Sequence, residues 1–138
     1  MIKMKCINLK YLSQLTNSNP KLMSSMILLY LEQTPPLINA MKQSWQNKDW
    51  SQLYASVHKM IPSFSIIGIS ADFEQMANKI QEYASKQEQN DNISDMILKL
   101  ENVCMQACQE LEVELLKIRT KHKKTKSNFF WSMIIPYF

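Results

Sequence analysis

The strongest constraint on the fold of this 138-residue chain is its poverty in glycine, because Gly68 is the only one. Proteins built from β-sheet reverse direction through many tight turns, and the commonest of these turns need glycine. The chain instead has ten methionines and many leucine, lysine, glutamine and glutamate residues, which favour helix. The composition and length therefore predict an all-α fold of one domain.

The first long helix is predicted to begin at Asn19-Pro20, because asparagine caps free N–H groups and proline is tolerated in the first turn. Pro35-Pro36 interrupts its apolar pattern, so this region is either one kinked helix or two stacked helices. The apolar positions that repeat at helical spacing are Leu22, Met26, Leu29, Tyr30, Leu37, Ile38, Met41 and Trp45.

Three further helices are predicted after a cap at Asp49, a cap at Ser70 and a start at Asp91 or Asn92. Their apolar positions are Trp50, Leu53, Tyr54, Val57, Ile61 and Phe64; then Phe73, Met76, Ala77, Ile80 and Ala84; then Ile93, Met96, Ile97, Leu100, Val103, Cys104, Ala107, Cys108, Leu111, Leu115 and Ile118. Four amphipathic helices with short connections predict an antiparallel four-helix bundle. A short N-terminal helix over about residues 8–15 would cover one end.

His58 lies at the border of the apolar stripe of its helix, so it is expected to be partly exposed. Positions three, four and seven residues away share its face, and most of them carry short side chains. These positions are Ser51, Tyr54, Ala55, Ile61, Pro62 and Ser65. A histidine in a helix most often packs or caps, but a ring on a smooth patch can be approached by another protein and can act as a nucleophile.

The segment around His58 resembles the signature of histidine-containing phosphotransfer (HPt) domains. That signature is roughly His-x-hydrophobic-Lys-Gly-Ser-Ser, with a glycine ten residues after the histidine. The positions that fit are His58, Met60, Ser63 and Gly68. Two positions depart, because Ile61 stands where the family often has lysine and Pro62 where it often has glycine.

The resemblance covers about residues 8 to 115, through residues 30–35, the Asp49-Trp50 pair and the spacing to Phe73, Met76, Ile80 and Gln81. It implies an HPt-like bundle that carries phosphoryl groups in a two-component phosphorelay. A receiver domain of a response regulator would pass the group from its aspartate to His58, which would pass it to a second receiver. The receiver would supply Mg²⁺, the aspartate and a lysine, and this chain would need no cofactor. A hybrid histidine kinase is a further partner of this kind.

The resemblance also implies roles for residues near His58. Gln81, on the next helix, would hydrogen-bond the imidazole, although the alignment needs one extra residue between Gly68 and Gln81. Lys59 points roughly 100° away from His58, so it is only a partial substitute for a lysine at position 61. Pro62 has no N–H for the carbonyl of His58, and a bend is expected there. The expected docking surface comprises Tyr54, Ala55, Pro62, Ser65 and Gly68.

The net charge of the chain changes from negative to positive near residue 116. Residues 1–116 hold all 12 acidic side chains against ten basic ones, for a net charge of −2, whereas residues 117–126 hold the other six basic ones. We therefore divide the chain into a bundle over residues 1–120 and a basic and aromatic tail over residues 121–138. Such a tail can bind an anionic membrane surface, fold back on the bundle or be disordered. Membrane contact is the less expected outcome, and His122 within the tail is expected to be solvated.

Other chemistries find little support in the sequence. One glycine cannot build a phosphate-binding loop, so the chain is expected to be a phosphocarrier without a kinase active site. Cys104 and Cys108 share a helix face but have no third ligand near them, so they are expected to be buried and not to bind metal. Nucleic-acid binding is not expected. Three cysteines and the lack of a secretory signal or of about 18 consecutive apolar residues predict a cytoplasmic protein.

Two rival functions stay open. The first is a pseudo-HPt adaptor that binds a receiver or a kinase without being phosphorylated, which the departures at Ile61 and Pro62 would favour and His58 would not. The second is a helical scaffold that acts at a membrane surface through the tail. Neither rival requires His58 to react.

Overall fold

The computed structural model describes the backbone of residues 4–134 and the side chains of residues 4–121. The helices are α1 (Lys10–Leu15), α2 (Pro20–Gln46), α3 (Trp50–Ile67), α4 (Ala71–Ser85) and α5 (Asn92–Ile134). No strand occurs between residues 4 and 134, so the prediction of an all-α fold is confirmed.

Three of the predicted helix caps are present. The side chains of Asn19, Asp49 and Ser70 each accept a hydrogen bond from a backbone N–H two or three residues further along. These bonds satisfy donors that the first turn of a helix leaves without an intrahelical partner. The caps therefore fix where α2, α3 and α4 begin.

The proline pair lies inside α2, which is one helix and not two stacked ones. Pro35 and Pro36 have no N–H to donate, so two intrahelical hydrogen bonds are lost. Thr34, Ile38 and Met41 are buried on the turns around the pair. Burial of this face against the neighbouring helices offsets the lost bonds and keeps the helix continuous.

Each of the four long helices contacts two of the others, so that the contacts form a ring. α2 contacts α3 and α5, and α4 also contacts α3 and α5, while α1 contacts α3. Lys42 near the end of α2 pairs with Glu101 at 2.8 Å, and the groove beside the start of α2 is lined by Ile118 and Arg119. α2 and α5 therefore run in opposite directions.

The core face of α3 differs from the predicted stripe. Its buried residues are Leu53, Ser56, Val57, Met60, Phe64 and Ile67. Tyr54 is 40% exposed, and Trp50 and Ile61 are only half-buried. The buried positions follow one another at intervals of three or four residues and form one stripe along α3. Tyr54 and Ile61 lie beside this stripe and not within it.

The apolar stripe predicted for α2 also includes residues that are exposed. Leu22 and Leu29 are 53% and 50% exposed, whereas Ile27 is fully buried. α5, by contrast, buries or half-buries every apolar position predicted for it.

Residues 4–9, which precede α1, have no regular structure but are held firmly in place. The Glu110 carboxylate accepts hydrogen bonds from the backbone N–H groups of Cys6 and Ile7 and from the side-chain amide of Gln106. Burial opposes ionisation of Glu110, but these hydrogen bonds outweigh it and hold its pKa below the usual range. The N–H of Asn8 donates to the carbonyl of Ile67 at 2.9 Å. α1 is thereby fixed against the end of α3.

The C-terminal helix continues beyond the predicted domain boundary at residue 120. Its backbone is helical to Ile134. The side chains of His122 and of the aromatic segment lie outside the described ones, so the expectation that His122 is solvated stays a prediction. Within the described part of the chain, no helix is both long and apolar enough to cross a bilayer.

Candidate functional site

His58 is exposed on the middle of α3, between a tyrosine of its own helix and a glutamine of the next one. Tyr54 lies four residues before His58, and the two rings stack with centroids 5.8 Å apart and planes 13° from parallel. On the other helix, the side-chain nitrogen of Gln81 lies 3.2 Å from Nδ1 of the imidazole. The ring is therefore oriented from two sides while it stays accessible.

The position of Gln81 depends on the packing of α4. Its neighbours Ala77, Ile80 and Ala84 are buried against the other helices, which fixes the rotation of α4 about its axis. Gln81 itself is half-buried at the edge of this face, so its amide is directed along the surface towards α3. The resemblance implied this contact, and the structure brings the two side chains together.

The hydrogen bond between Gln81 and His58 has two forms. When the amide nitrogen of Gln81 donates to Nδ1, a neutral imidazole carries its proton on Nε2. When the amide is turned by 180°, its oxygen accepts from Nδ1–H and the lone pair of Nε2 is free to react. Rotation of one side-chain amide thus decides whether the lone pair of Nε2 is free to react.

The surface around the imidazole is smooth because its hydroxyl groups bond within α3. Ser65 donates to the carbonyl of Pro62 at 3.5 Å, and Ser63 donates to the carbonyl of Met60 at 2.7 Å. Ala55 is half-buried, and Pro62 and Ser65 are exposed. No side chain of α3 carries a carboxylate. An acidic partner would therefore meet no like charge on this helix.

Lys59 lies on a different flank of α3 from the imidazole. It lines a cavity of about 190 Å³ between α1, α2 and α3, together with Pro62 and Gln33. His58 instead contacts α4 through Gln81. Lys59 and His58 are neighbours in sequence, but their side chains face different helices, in agreement with the separation expected from helix geometry.

Gly68 ends α3 in the left-handed conformation, with φ at 75°. A Cβ atom at this position would overlap the carbonyl oxygen of Asn8, so both the backbone angle and the close approach require glycine. Gly68 lies ten residues after His58, which is about 15 Å along the helix axis. The structure thus gives this glycine a role in joining α3 to the N-terminal segment, at a distance from the imidazole.

Among the described residues, no disulfide joins any two of the cysteines. Cys104 and Cys108 are buried, as predicted, and burial raises their pKa to about 12 and about 11. A buried protonated thiol is a poor metal ligand and a poor nucleophile. Among the described residues, no group of three or more potential ligands could hold a metal ion.

The stacking of Tyr54 on His58 was missed at the sequence level. Tyr54 was assigned to the apolar stripe because aromatic residues are commonly buried. The useful signal was its spacing, because residues four apart on a helix are neighbours on its surface. A half-exposed aromatic ring one turn before an exposed histidine is placed to stack on it.

Comparisons with models of known protein families, with curated proteins and with solved structures find no match for this chain. The HPt resemblance therefore stays a prediction from the residues around His58. The geometry of α3 and α4 is the independent basis on which a function can be proposed.

Proposed function

We propose that the chain is a histidine phosphotransfer protein that accepts a phosphoryl group on His58 from a receiver-domain aspartate and passes it to another receiver. The observation that carries this proposal is the exposed imidazole whose Nδ1 lies 3.2 Å from the amide of Gln81. When the amide oxygen of Gln81 accepts from Nδ1–H, the lone pair of Nε2 on this solvated ring is available for transfer. The absence of a carboxylate from α3 adds support.

The helix contacts support an antiparallel four-helix bundle as the scaffold. Three-residue connections over 47–49 and 68–70 join α2 to α3 and α3 to α4, and each of these pairs is in contact. Helices joined by such short loops run antiparallel. In this arrangement α3 presents His58 on the side of the bundle, with α1 at one end.

The transfer step needs few groups from this chain. Nε2 attacks phosphorus in line, the bond from phosphorus to the receiver's aspartyl oxygen breaks, and the electron pair leaves with the aspartate carboxylate. The ring keeps its proton on Nδ1 and becomes a phosphorylated imidazolium, whose N–H the oxygen of Gln81 accepts. The receiver would supply Mg²⁺ and a lysine, as the family resemblance implies.

The substitutions at Ile61 and Pro62 affect how the phosphoryl group is stabilised. A lysine one turn after the histidine would place a positive charge beside it, and Ile61 places none. Lys59 borders the groove along α2 and does not compensate. The phosphorylated form therefore relies on the cations of the partner while the two proteins are bound.

The decisive experiment is transfer from labelled receiver domains of the same genome to His58→Gln and to the wild type. The variant keeps size and polarity, so it should retain its helicity and receiver binding but lose all acid-labile label. His122→Gln is the matched control, because His122 is the only other histidine. Label at the wild-type level in His58→Gln would refute the assignment. Receiver binding without label on the wild type would identify the pseudo-HPt adaptor instead.

A further inference from the structure

The side of α5 that faces away from the core carries a stripe of residues without any charge. This uncharged stripe consists of Leu98, Asn102, Met105, Gln109, Val113, Leu116 and Thr120. All seven residues are exposed, and the four apolar ones expose 47–64% of their surface. Between Lys99 and Glu112, no exposed residue of α5 is charged. A helix face that meets only water usually carries charged side chains, so the stripe indicates contact with another protein surface.

The uncharged stripe is symmetric about its middle residue, Gln109. The intervals between its successive members are 4, 3, 4, 4, 3 and 4 residues, which read the same from either end. A second copy of α5 that lies antiparallel against the first would therefore bring stripe residues opposite one another over about 33 Å. The facing pairs would be Leu98 with Thr120, Asn102 with Leu116, Met105 with Val113, and Gln109 with its own copy. Such self-complementarity is the property that a two-fold symmetric interface requires.

Further apolar surface adjoins the middle of the uncharged stripe. Met105 also lines a groove of about 780 Å³ together with Met4, Phe73 and Met76, and no acidic residue lines this groove. Met4 is 88% exposed, and its carbonyl is hydrogen-bonded to a side chain of α5, which holds it beside the stripe. In the antiparallel arrangement, Val113 of the second copy would face Met105 at the edge of the groove. The apolar area available to a second copy therefore extends beyond α5 itself.

The charges beside the stripe distinguish its two flanks. Glu101 and Arg119 are 18 residues apart, which is five full helical turns, so they lie on one flank. Lys99 and Lys117 lie on the other flank at the same spacing. Two-fold symmetry brings each flank against the same flank of the second copy. Glu101 would then lie near the arginine of the second copy and attract it, whereas Lys99 and Lys117 would repel each other.

We propose that the uncharged stripe of α5 pairs two copies of this chain into an antiparallel, two-fold symmetric dimer. The apolar residues of the stripe bury one another, and the two Gln109 amides meet on the symmetry axis, where each has a donor and an acceptor for the other. The dimer leaves His58 exposed, because α5 contacts α2 and α4, and α3 lies across the ring of helix contacts from it. Dimerisation therefore does not depend on transfer at His58, and either property can be lost without the other.

Sedimentation equilibrium of the full chain measures the association, and we expect a reversible equilibrium between monomer and dimer. Met105→Glu should weaken the dimer at least tenfold, because it places a carboxylate in the apolar contact. Leu22→Glu is the matched control, since it makes a similar change at an exposed residue of α2 and should leave the association unchanged. Lys117→Glu should tighten the dimer severalfold, because it turns the repulsion from Lys99 into attraction.

A cysteine on the symmetry axis tests the orientation of the two copies. In Gln109→Cys the two introduced thiols would face each other, so diamide, which takes up the two hydrogens as the disulfide forms, should join the chains covalently. Leu98→Cys is the control, because its copy would lie about 33 Å away, and the wild type gives the background of the native cysteines.

Four results would each overturn the proposal. They are a chain that stays monomeric up to millimolar concentration, equal losses in Met105→Glu and Leu22→Glu, weaker association in Lys117→Glu, and cross-linking above background in both cysteine variants or in neither.

Discussion

The two faces of α3 differ in burial and in the roles of their side chains. The inner face packs Leu53, Val57, Met60, Phe64 and Ile67 into the core with almost no exposed surface. The outer face carries His58, its stacked tyrosine and short side chains such as Ala55 and Ser65. Stability is therefore concentrated on one side of the helix, and the proposed chemistry on the other.

This division has an energetic reason. Burying a large apolar side chain contributes roughly 1.5–3 kcal/mol to folding, whereas an exposed serine or alanine contributes little. Substitutions on the outer face can consequently change partner binding at small cost to folding. Substitutions on the inner face cannot, because the core is closely packed.

The largest expected effect is on the inner face. Phe64→Ala should lower the free energy of unfolding by about 3–5 kcal/mol, because Phe64 is 1% exposed and its removal leaves a cavity. Tyr54→Ala, an aromatic truncation on the outer face, should cost about 1 kcal/mol or less by the usual size of surface effects. Urea unfolding of both variants measures the difference. Equal losses would show that the two faces do not differ as described.

A smaller effect is expected when charge is added to the outer face. Ser65→Glu or Ala55→Glu would place an anion beside His58, opposite an acidic receiver pocket, and should weaken receiver binding on the order of tenfold or more. The melting temperature should change little. Asn102→Glu, an exposed substitution on α5, adds the same charge and should leave the affinity unaltered. Calorimetric titration with a receiver provides the measurement, and unchanged affinity in both outer-face variants would place the docking surface elsewhere.

The smallest effect should come from the link between α3 and α4. Gln81→Leu keeps the side chain's size but removes the hydrogen bond to Nδ1. A net hydrogen bond of about 0.5–1.5 kcal/mol corresponds to a roughly two- to tenfold slower transfer rate. Gln75→Leu is the matched control, because Gln75 is an exposed glutamine of the same helix. Identical transfer rates in the two variants would remove Gln81 from the mechanism.

Much of the fold could be predicted because local chemistry determines it. The capping side chains Asn19, Asp49 and Ser70 act within a few residues of themselves, so the sequence shows them directly. The rotation of α3 was harder, because the choice between Tyr54 and Met60 as core residues depends on which helices pack against it. Hydrophobic periodicity shows which side of the helix is buried. It does not show which of the neighbouring residues on that side face the core.

The candidate site illustrates the same limit. His58 could be selected from its surroundings, but Gln81 lies 23 residues away, and only the family resemblance pointed to it. The length of α5 was not predicted, for a different reason. Its apolar pattern stops at Ile118, and such a pattern reports burial, whereas the backbone stays helical without it.

The continuity of α5 also fixes a rotational phase between the bundle and the C-terminal residues. One residue inserted between Thr120 and Lys126 would turn everything beyond it by about 100° and shift it by about 1.5 Å. Seven inserted residues would nearly restore the angle and shift it by about 10 Å. Insertions of different lengths can thus change the orientation of the His58 face relative to whatever the tail contacts separately from the distance between them.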